Sequence, residues 1–291
     1  MKKSLGPIYA LAAGALWGSM GVFVRHFNAM GLEPLEIAWF RVFFGLLVVG
    51  GYLVVFHREL LRVKLRHLPI FVGTGVGSLF LLNLTYYTSM QYVSLAVAGV
   101  LLYTAPIFVM LLSAVLFREK ITPQKALALI LAFLGCALVS GIGGGTQVST
   151  VGILWGLGAG VSYALYSIFG RYAIDRGYGS WTMTFYTFLF CFLADCLLCD
   201  WRAIGTVFVQ PPELGCAAAL GVVTAFFPYV FYSGALERME GSRASILASV
   251  EPVVAALFSV LLFHEPLSFG GVIGMLLVLT AIVLLSVKKK K

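Results

Sequence analysis

The sequence predicts an all-α integral membrane protein, with ten transmembrane helices forming two inverted five-helix repeats. Three observations lead there. Of 291 residues, 60% are hydrophobic, 32 more are Gly, and only 11% are charged, against roughly 25% charged in a soluble domain. The apolar residues fall into ten runs near the length of about 20 residues that crosses a bilayer as a helix. The runs also repeat, because Pro106 and Pro252 open similar segments 146 residues apart. This composition excludes a disordered chain, a basic nucleic-acid-binding domain and a soluble enzyme with a solvated surface.

The spans are delimited by charge, Gly and Pro. The first, 7–27, follows Met1-Lys2-Lys3 as a signal peptide would. Its length and its later counterpart make it a retained span. The second, 34–56, runs from Pro34 to a basic stretch at 57–68, and the third occupies 68–89. The fourth, 93–117, stops at Arg118-Glu119-Lys120, and the fifth, 123–140, runs from Pro123 into the Gly-rich linker 141–150. The remaining five are 151–171, 180–199, 214–235, 242–263 and 267–287. Connections this short leave no soluble domain and make successive helices antiparallel neighbours. Loops rich in Lys and Arg stay cytoplasmic. With the N-terminus inside, 17 of the 20 basic residues fall on inner segments, Arg25 and Arg202 on outer ones, and Arg41 within a span. Both termini are therefore expected in the cytoplasm, the chain being multi-pass in the cell membrane.

The repeat extends beyond the two prolines. Residues 106–119 align without a gap to 252–265, keeping Leu111/Leu257, Ser113/Ser259, Phe117/Phe263 and Glu119/Glu265. The same offset pairs Gly14/Gly160, Arg25/Arg171, Gly75/Gly221 and Tyr86/Tyr232. The halves are 1–145 and 146–291, each with five spans. An odd number forces the second copy to enter the membrane from the opposite side. Charge agrees, since Arg118, Lys120 and Lys125 on the inner side correspond to His264, Pro266 and Gly271 on the outer side.

Several motifs together resemble the drug/metabolite transporter superfamily in its ten-helix, EamA-type form. They are Leu-Ala-Ala-Gly-Ala-Leu-Trp17-Gly18-Ser19, Arg41 within Trp-Phe-Arg-Val-Phe-Phe, Tyr92-Val-Ser-Leu-Ala-Val-Ala, Glu251-Pro252, and the two helices ending at Glu119 and Glu265. The likeness covers essentially the whole chain. It implies a carrier whose central cavity alternates between inward- and outward-open states, often working as an exporter, and it is weak for substrate.

Ionisable groups within spans are costly and are functional candidates by default. Glu251 lies near mid-span beside Pro252, where a helix-kinking Pro frees a carbonyl. It can contact substrate or a coupled proton, or it can serve structurally. Arg41, about 10 Å deep at 1.5 Å per residue, can grip a carboxylate bidentately or snorkel to the outer headgroups. Asp195, near the outer end of its span, is expected to snorkel or to sit in an outer vestibule. Glu119 and Glu265 read as interfacial residues that set helix ends. Tyr163 and Tyr166 share a helix face, and Trp17 is the counterpart of Tyr163; Asn83, Tyr86 and Tyr103 complete the candidate substrate-binding set, with Pro106 and Pro252 as kinks. The motifs Gly14-x-x-x-Gly18, Gly73-x-Gly75-x-Gly77, Gly156-x-x-x-Gly160 and Gly270-x-x-x-Gly274 read as close helix packing. The cysteines, including Cys196-x-x-Cys199, read as small apolar residues.

The expectation is a secondary transporter, an exporter or facilitator, for a small organic metabolite. No P-loop is present for ATP to drive it directly. One carboxylate, one guanidinium and several Tyr hydroxyls suit an amino acid or a similar zwitterion, and nucleosides, sugars and amphipathic drugs stay open. The competing class is an intramembrane enzyme; His264-Glu265 lacks the second His of a zincin helix, and no nucleophile–base pair shows in the spans. The expected partners are the substrate and the lipid bilayer, with no cofactor, no metal and no nucleic acid; monomer and dimer are both open.

Overall fold

The computed structural model describes residues 5–141, 149–265 and 268–286, and its regular elements are helices. Seven are long and apolar enough to cross a membrane: α1 (Gly6–Ala29), α2 (Pro34–Phe56), α3 (Leu65–Met90), α4 (Leu95–Phe117), α6 (Thr150–Ile174), α8 (Pro211–Leu236) and α9 (Gly241–Phe263). Three more, α5 (Pro123–Val139), α7 (Ser180–Asp195) and α10 (Phe269–Ser286), are somewhat shorter. At 16 to 18 residues these rise about 24–27 Å. Pro34, Pro123 and Pro211 open α2, α5 and α8, where the missing N–H costs nothing. Ser94 and Thr122 cap α4 and α5 through their side-chain oxygens.

Two expectations about boundaries need correction. The seventh helix stops at Asp195 and not at residue 199. The segment 201–214, expected as a loop, contains an amphipathic helix, Trp201–Phe208, that buries Ile204 and Val207. Their i, i+3 spacing was the available signal. Most of the Gly-rich linker, at 142–148, and the expected ends Leu267 and Val287 lie outside the described residues.

Local structure repeats at the offset found in the sequence. α4 is broken into Leu95–Leu102 and Ala105–Phe117, and α9 into Gly241–Ala248 and Glu251–Phe263, every boundary 146 residues apart. Helices α3 and α8 each loosen into a π-helical turn, at Gly73–Phe80 and Val222–Phe226. Arg118 and His264, also counterparts, both take left-handed backbone with φ of 55° and 54°.

Packing crosses between the halves. α1 lies on α8 and both parts of α9, while α6 lies on α3 and both parts of α4. α2 packs on α7 and α8, and α7 also packs on α3. Counterparts α5 and α10 run antiparallel: the Gln124 amide donates to the Leu284 carbonyl, and Gly135 meets Gly274. Glycines permit these approaches. A Cβ on Gly14 would stand 2.3 Å from the Ala248 carbonyl oxygen, and one on Gly18 2.6 Å from that of Glu251. One on Gly75 would stand 2.6 Å from the Phe190 Cβ. Among the described residues, a Cβ on Gly270 would meet only the Ser268 Oγ, at 3.9 Å, so no close helix contact is seen there.

The connections gather at two ends. At one end, His67 and the Lys64 amide bond to Tyr178, Thr182 bonds to the Leu60 carbonyl, and Glu119 meets Gly241. This end carries most of the loop Lys and Arg residues and is termed the basic end below. At the other, Arg25 pairs with Glu265, His26 with Glu213, and Glu36 accepts the Asp200 N–H.

Replacing Gly135 by Leu forces a side chain into backbone 2.6 Å away and is expected to destabilise the protein by about 1–3 kcal/mol. Gly51→Ala, with nothing within 4 Å of the new Cβ, is expected to be neutral. Melting temperatures of the purified variants in detergent check both.

Candidate functional site

The breaks in α4 and α9 create the site. Pro106 and Pro252 are the second residues of the second half-helices, Ala105–Phe117 and Glu251–Phe263. The interruptions fall just before them, at Tyr103–Thr104 and Ser249–Val250. Each Pro lacks an N–H and frees a carbonyl one turn back. Glu251 therefore occupies the first turn of a half-helix, where the macrodipole favours a carboxylate.

A cavity of about 290 Å³ lies beside this break, close to the lower bound of ordinary ligand pockets. Trp17, Arg41, Asn83, Tyr86, Tyr103, Tyr163 and Glu251 line it, so seven of the eight expected binding residues come together. It opens away from the basic end, past Asn28, Pro34, Ile37, Met90 and Leu95. A cleft of about 680 Å³ continues from it between α1, α4 and α9 as far as Phe263.

Two opposite charges face this cavity without an ion-pair partner among the described residues. Arg41 is 6% exposed, so it does not snorkel. Its Nη1 donates to the Met20 thioether at 2.8 Å, a weak acceptor, and its Nε has no partner. Glu251 lies within electrostatic reach of Arg41 but forms no ion pair with it. The Asn83 Nδ2, also buried, has no partner either. Unmet donors beside an open space are what a polar ligand would satisfy.

Aromatic rings close the inner side. Trp17 meets Tyr163 edge-on at 5.9 Å and Tyr229 at 5.5 Å, each such pair worth about 0.5–1.5 kcal/mol beyond buried area. Tyr166 is not part of the lining. It is buried, its hydroxyl 2.6 Å from the Ser233 Oγ, and it supports Tyr229 from behind. The expectation for Asp195 is corrected. It is fully buried, neither snorkelling nor in a vestibule, because Cys191 one turn away donates to Oδ2 and the side chain lies within reach of Arg41. Met20, Asn28, Tyr87 and Tyr229 also line the cavity and lie outside the expected binding set. Tyr229 could have been found as the counterpart of Asn83 at the offset of 146.

On the basic side of Glu251 is a void of only about 10 Å³, room for about one water. Tyr103, Tyr163, Ser167, Tyr232, Ser245 and Ser249 line it together with Glu251. Tyr232 and Ser167 bond through their hydroxyls at 2.8 Å and close it further. Glu119 and Glu265 do more than mark helix ends. Glu119 reaches the start of α9, while Glu265 is held in two hydrogen bonds by Arg25, which lowers its pKa to about 2.

The chain is similar to known membrane transporters. A model of the EamA-like transporter family matches residues 4–141 and again 150–287. Two proteins of Archaeoglobus fulgidus, each named an uncharacterized transporter, are similar to the chain. One is 30% identical over 284 residues, 96% of this chain and 95% of its own length. The other is 29% identical over 265 residues, 89% of each. A solved crystal structure shares the fold with a TM-score of 0.79, covering 97% of this chain and 96% of that one at 19% identity.

The geometry predicts a one-sided pattern of reactivity. On a cysteine-free background, Asn28→Cys and Leu95→Cys, both exposed at the cavity mouth, are expected to react with a charged thiol reagent at least tenfold faster than the buried Ser167→Cys and Ser245→Cys. Labelling rates of the purified protein check this.

Proposed function

This chain belongs to the EamA-like transporter family, and from that premise we propose that it is a secondary carrier for zwitterionic metabolites, amino acids first among them. It is a membrane transporter and not an enzyme. The single observation behind the substrate class is that Glu251 and Arg41 face one cavity and neither has an ion-pair partner among the described residues. A carboxylate at the bilayer centre costs about 2.5–3.5 kcal/mol on insertion scales, and an uncompensated guanidinium is comparably expensive. An α-amino group beside Glu251 and an α-carboxylate beside Arg41 would meet both needs at once. Trp17, Tyr163 and Tyr229 would enclose the apolar remainder.

In this reading the ten helices α1 to α10 are all membrane spans, and the halves 1–145 and 146–291 are inverted repeats related by an axis in the membrane plane. The antiparallel counterparts α5 and α10 and the matched breaks in α4 and α9 support it. The loop Lys and Arg residues gather at one end, which by the positive-inside rule would be cytoplasmic together with both termini. The cavity would then be open to the outside. Transport is alternating access around Glu251, whose side chain contributes to both the open cavity and the closed void. An opening on that side would make this the outward-open state, which an exporter and a facilitator both visit.

Glu251→Gln is expected to reduce amino acid uptake into proteoliposomes by at least tenfold, with melting temperature and monodispersity close to the parent. Asp195→Asn, buried behind the cavity, is expected to lose less. If Glu251 were instead a structural partner of Arg41, each single variant would misfold, and the double variant Glu251→Gln/Arg41→Gln would recover stability. Labelling Asn28→Cys from outside intact cells checks the orientation.

A further inference from the structure

We propose that Glu119 and Glu265 are alternating gate residues. In the present state Glu119 seals the basic end by capping the first half of α9. In the opposite state Glu265 seals the other end by capping the first half of α4. The inference rests on the carrier reading above and identifies how the two ends of that cavity are held shut.

The closed end is fully built. Glu119 Oε1 accepts the Gly241 N–H at 3.2 Å, and Oε2 accepts the Ser242 hydroxyl at 2.6 Å. Lys125 lies 2.6 Å from Glu240 and 3.9 Å from Glu119, and its side chain is only 7% exposed. The amide of Gly241 is one of the N-terminal donors a helix cannot satisfy internally. A carboxylate there makes a charge-assisted cap. Ser113 completes the contact, because a Cβ on Gly241 would lie 3.6 Å from its Oγ.

The open end has the same parts, separated. Glu265 leaves its helix along the same path as Glu119: both follow a left-handed residue, and both N–H groups return to a Ser carbonyl, at 3.2 Å to Ser113 and 3.3 Å to Ser259. The counterpart of Gly241 is Leu95, whose N–H likewise belongs to a first turn. Leu95, Ala96, Ser259 and Phe263, however, stand around the open cleft of about 680 Å³. Glu265 turns away to Arg25, which also stacks on Phe263 at 4.2 Å from the ring centre.

The two chambers are counterparts as well. Val109, Ser167, Tyr232 and Ser245 of the small void correspond, at the offset of 146, to Ala255, Gly21, Tyr86 and Gly99 of the open cavity and cleft. The void is thus the collapsed equivalent of the cavity, and the Glu119 contact is the collapsed equivalent of the cleft. Exchange between them needs Glu265 to leave Arg25. That exposed pair is held weakly, whereas the Glu119 cluster is buried, which accounts for the state observed.

Disulfide trapping in the full-length, cysteine-free protein in membranes tests this without any substrate. Its failure would leave the zwitterion site standing, and failure of zwitterion binding would leave the gate standing. Ser113→Cys/Gly241→Cys captures the contact present here. Leu95→Cys/Ser259→Cys captures the proposed one, since bridging requires Cα atoms within about 7 Å. Both pairs are expected to close under mild oxidation. Glu119→Gln is expected to speed closure of the Leu95/Ser259 pair about five- to tenfold, and Glu265→Gln to slow it equally, as loss of a charge-assisted bond in one state implies. Glu119→Asp, which keeps the charge, restores the parent rate. Closure of the first pair without the second overturns the proposal. So do closure rates unchanged in both Gln variants of a monodisperse protein, and failure of the first pair to close.

Discussion

A helix interrupted inside a membrane must find partners for the backbone groups it frees, because the lipid offers none. The break at Ser249–Val250 in α9 is where this constraint governs the structure. Pro252 releases the Ala248 carbonyl, and α1 rises against it closely enough that only Gly fits at positions 14 and 18. The other side of the break faces the cavity, so the half-helix beginning at Glu251 presents its N-terminus there. Backbone requirement, glycine contact and charged site are one arrangement.

The scaffold repeats but its chemistry does not. Glu251 has Ala105 as its counterpart, and Arg41 has Thr187, a buried residue whose hydroxyl donates to Thr74 at 2.8 Å. Asn83 corresponds to Tyr229, and Trp17 to Tyr163, and these four meet around one cavity. The frame thus supplies two related chambers; Glu251 lines both, while Arg41 lines only the open one. The proposed rocking carrier would work around such a shared residue.

Much of this was legible in the sequence. Apolar runs gave the helices because bilayer thickness fixes their length, and the two Pro-containing segments located both breaks. Glu251 and Arg41 stood out since charge is rare in spans. Other features depended on tertiary contact. Tyr166 shares a helix face with Tyr163, yet Ser233 one helix away draws its hydroxyl out of the lining. Asp195 is near its helix end but is buried inside the bundle, where Cys191 one turn back donates to it. Depth along a helix could not reveal either. Glu119 looked like a helix terminus, and its partner Gly241 lies 122 residues away.

The central claim is that Glu251 and Arg41 together recognise both ends of a zwitterion. Its most direct test is calorimetric titration of the purified protein with a neutral amino acid, its methyl ester and its N-acetyl derivative. The account predicts that the amino acid binds at least tenfold more tightly than either singly charged analogue. It also predicts that Arg41→Gln erases the preference over the ester and Glu251→Gln the preference over the N-acetyl form. Equal affinity for all three ligands in the parent protein would contradict it.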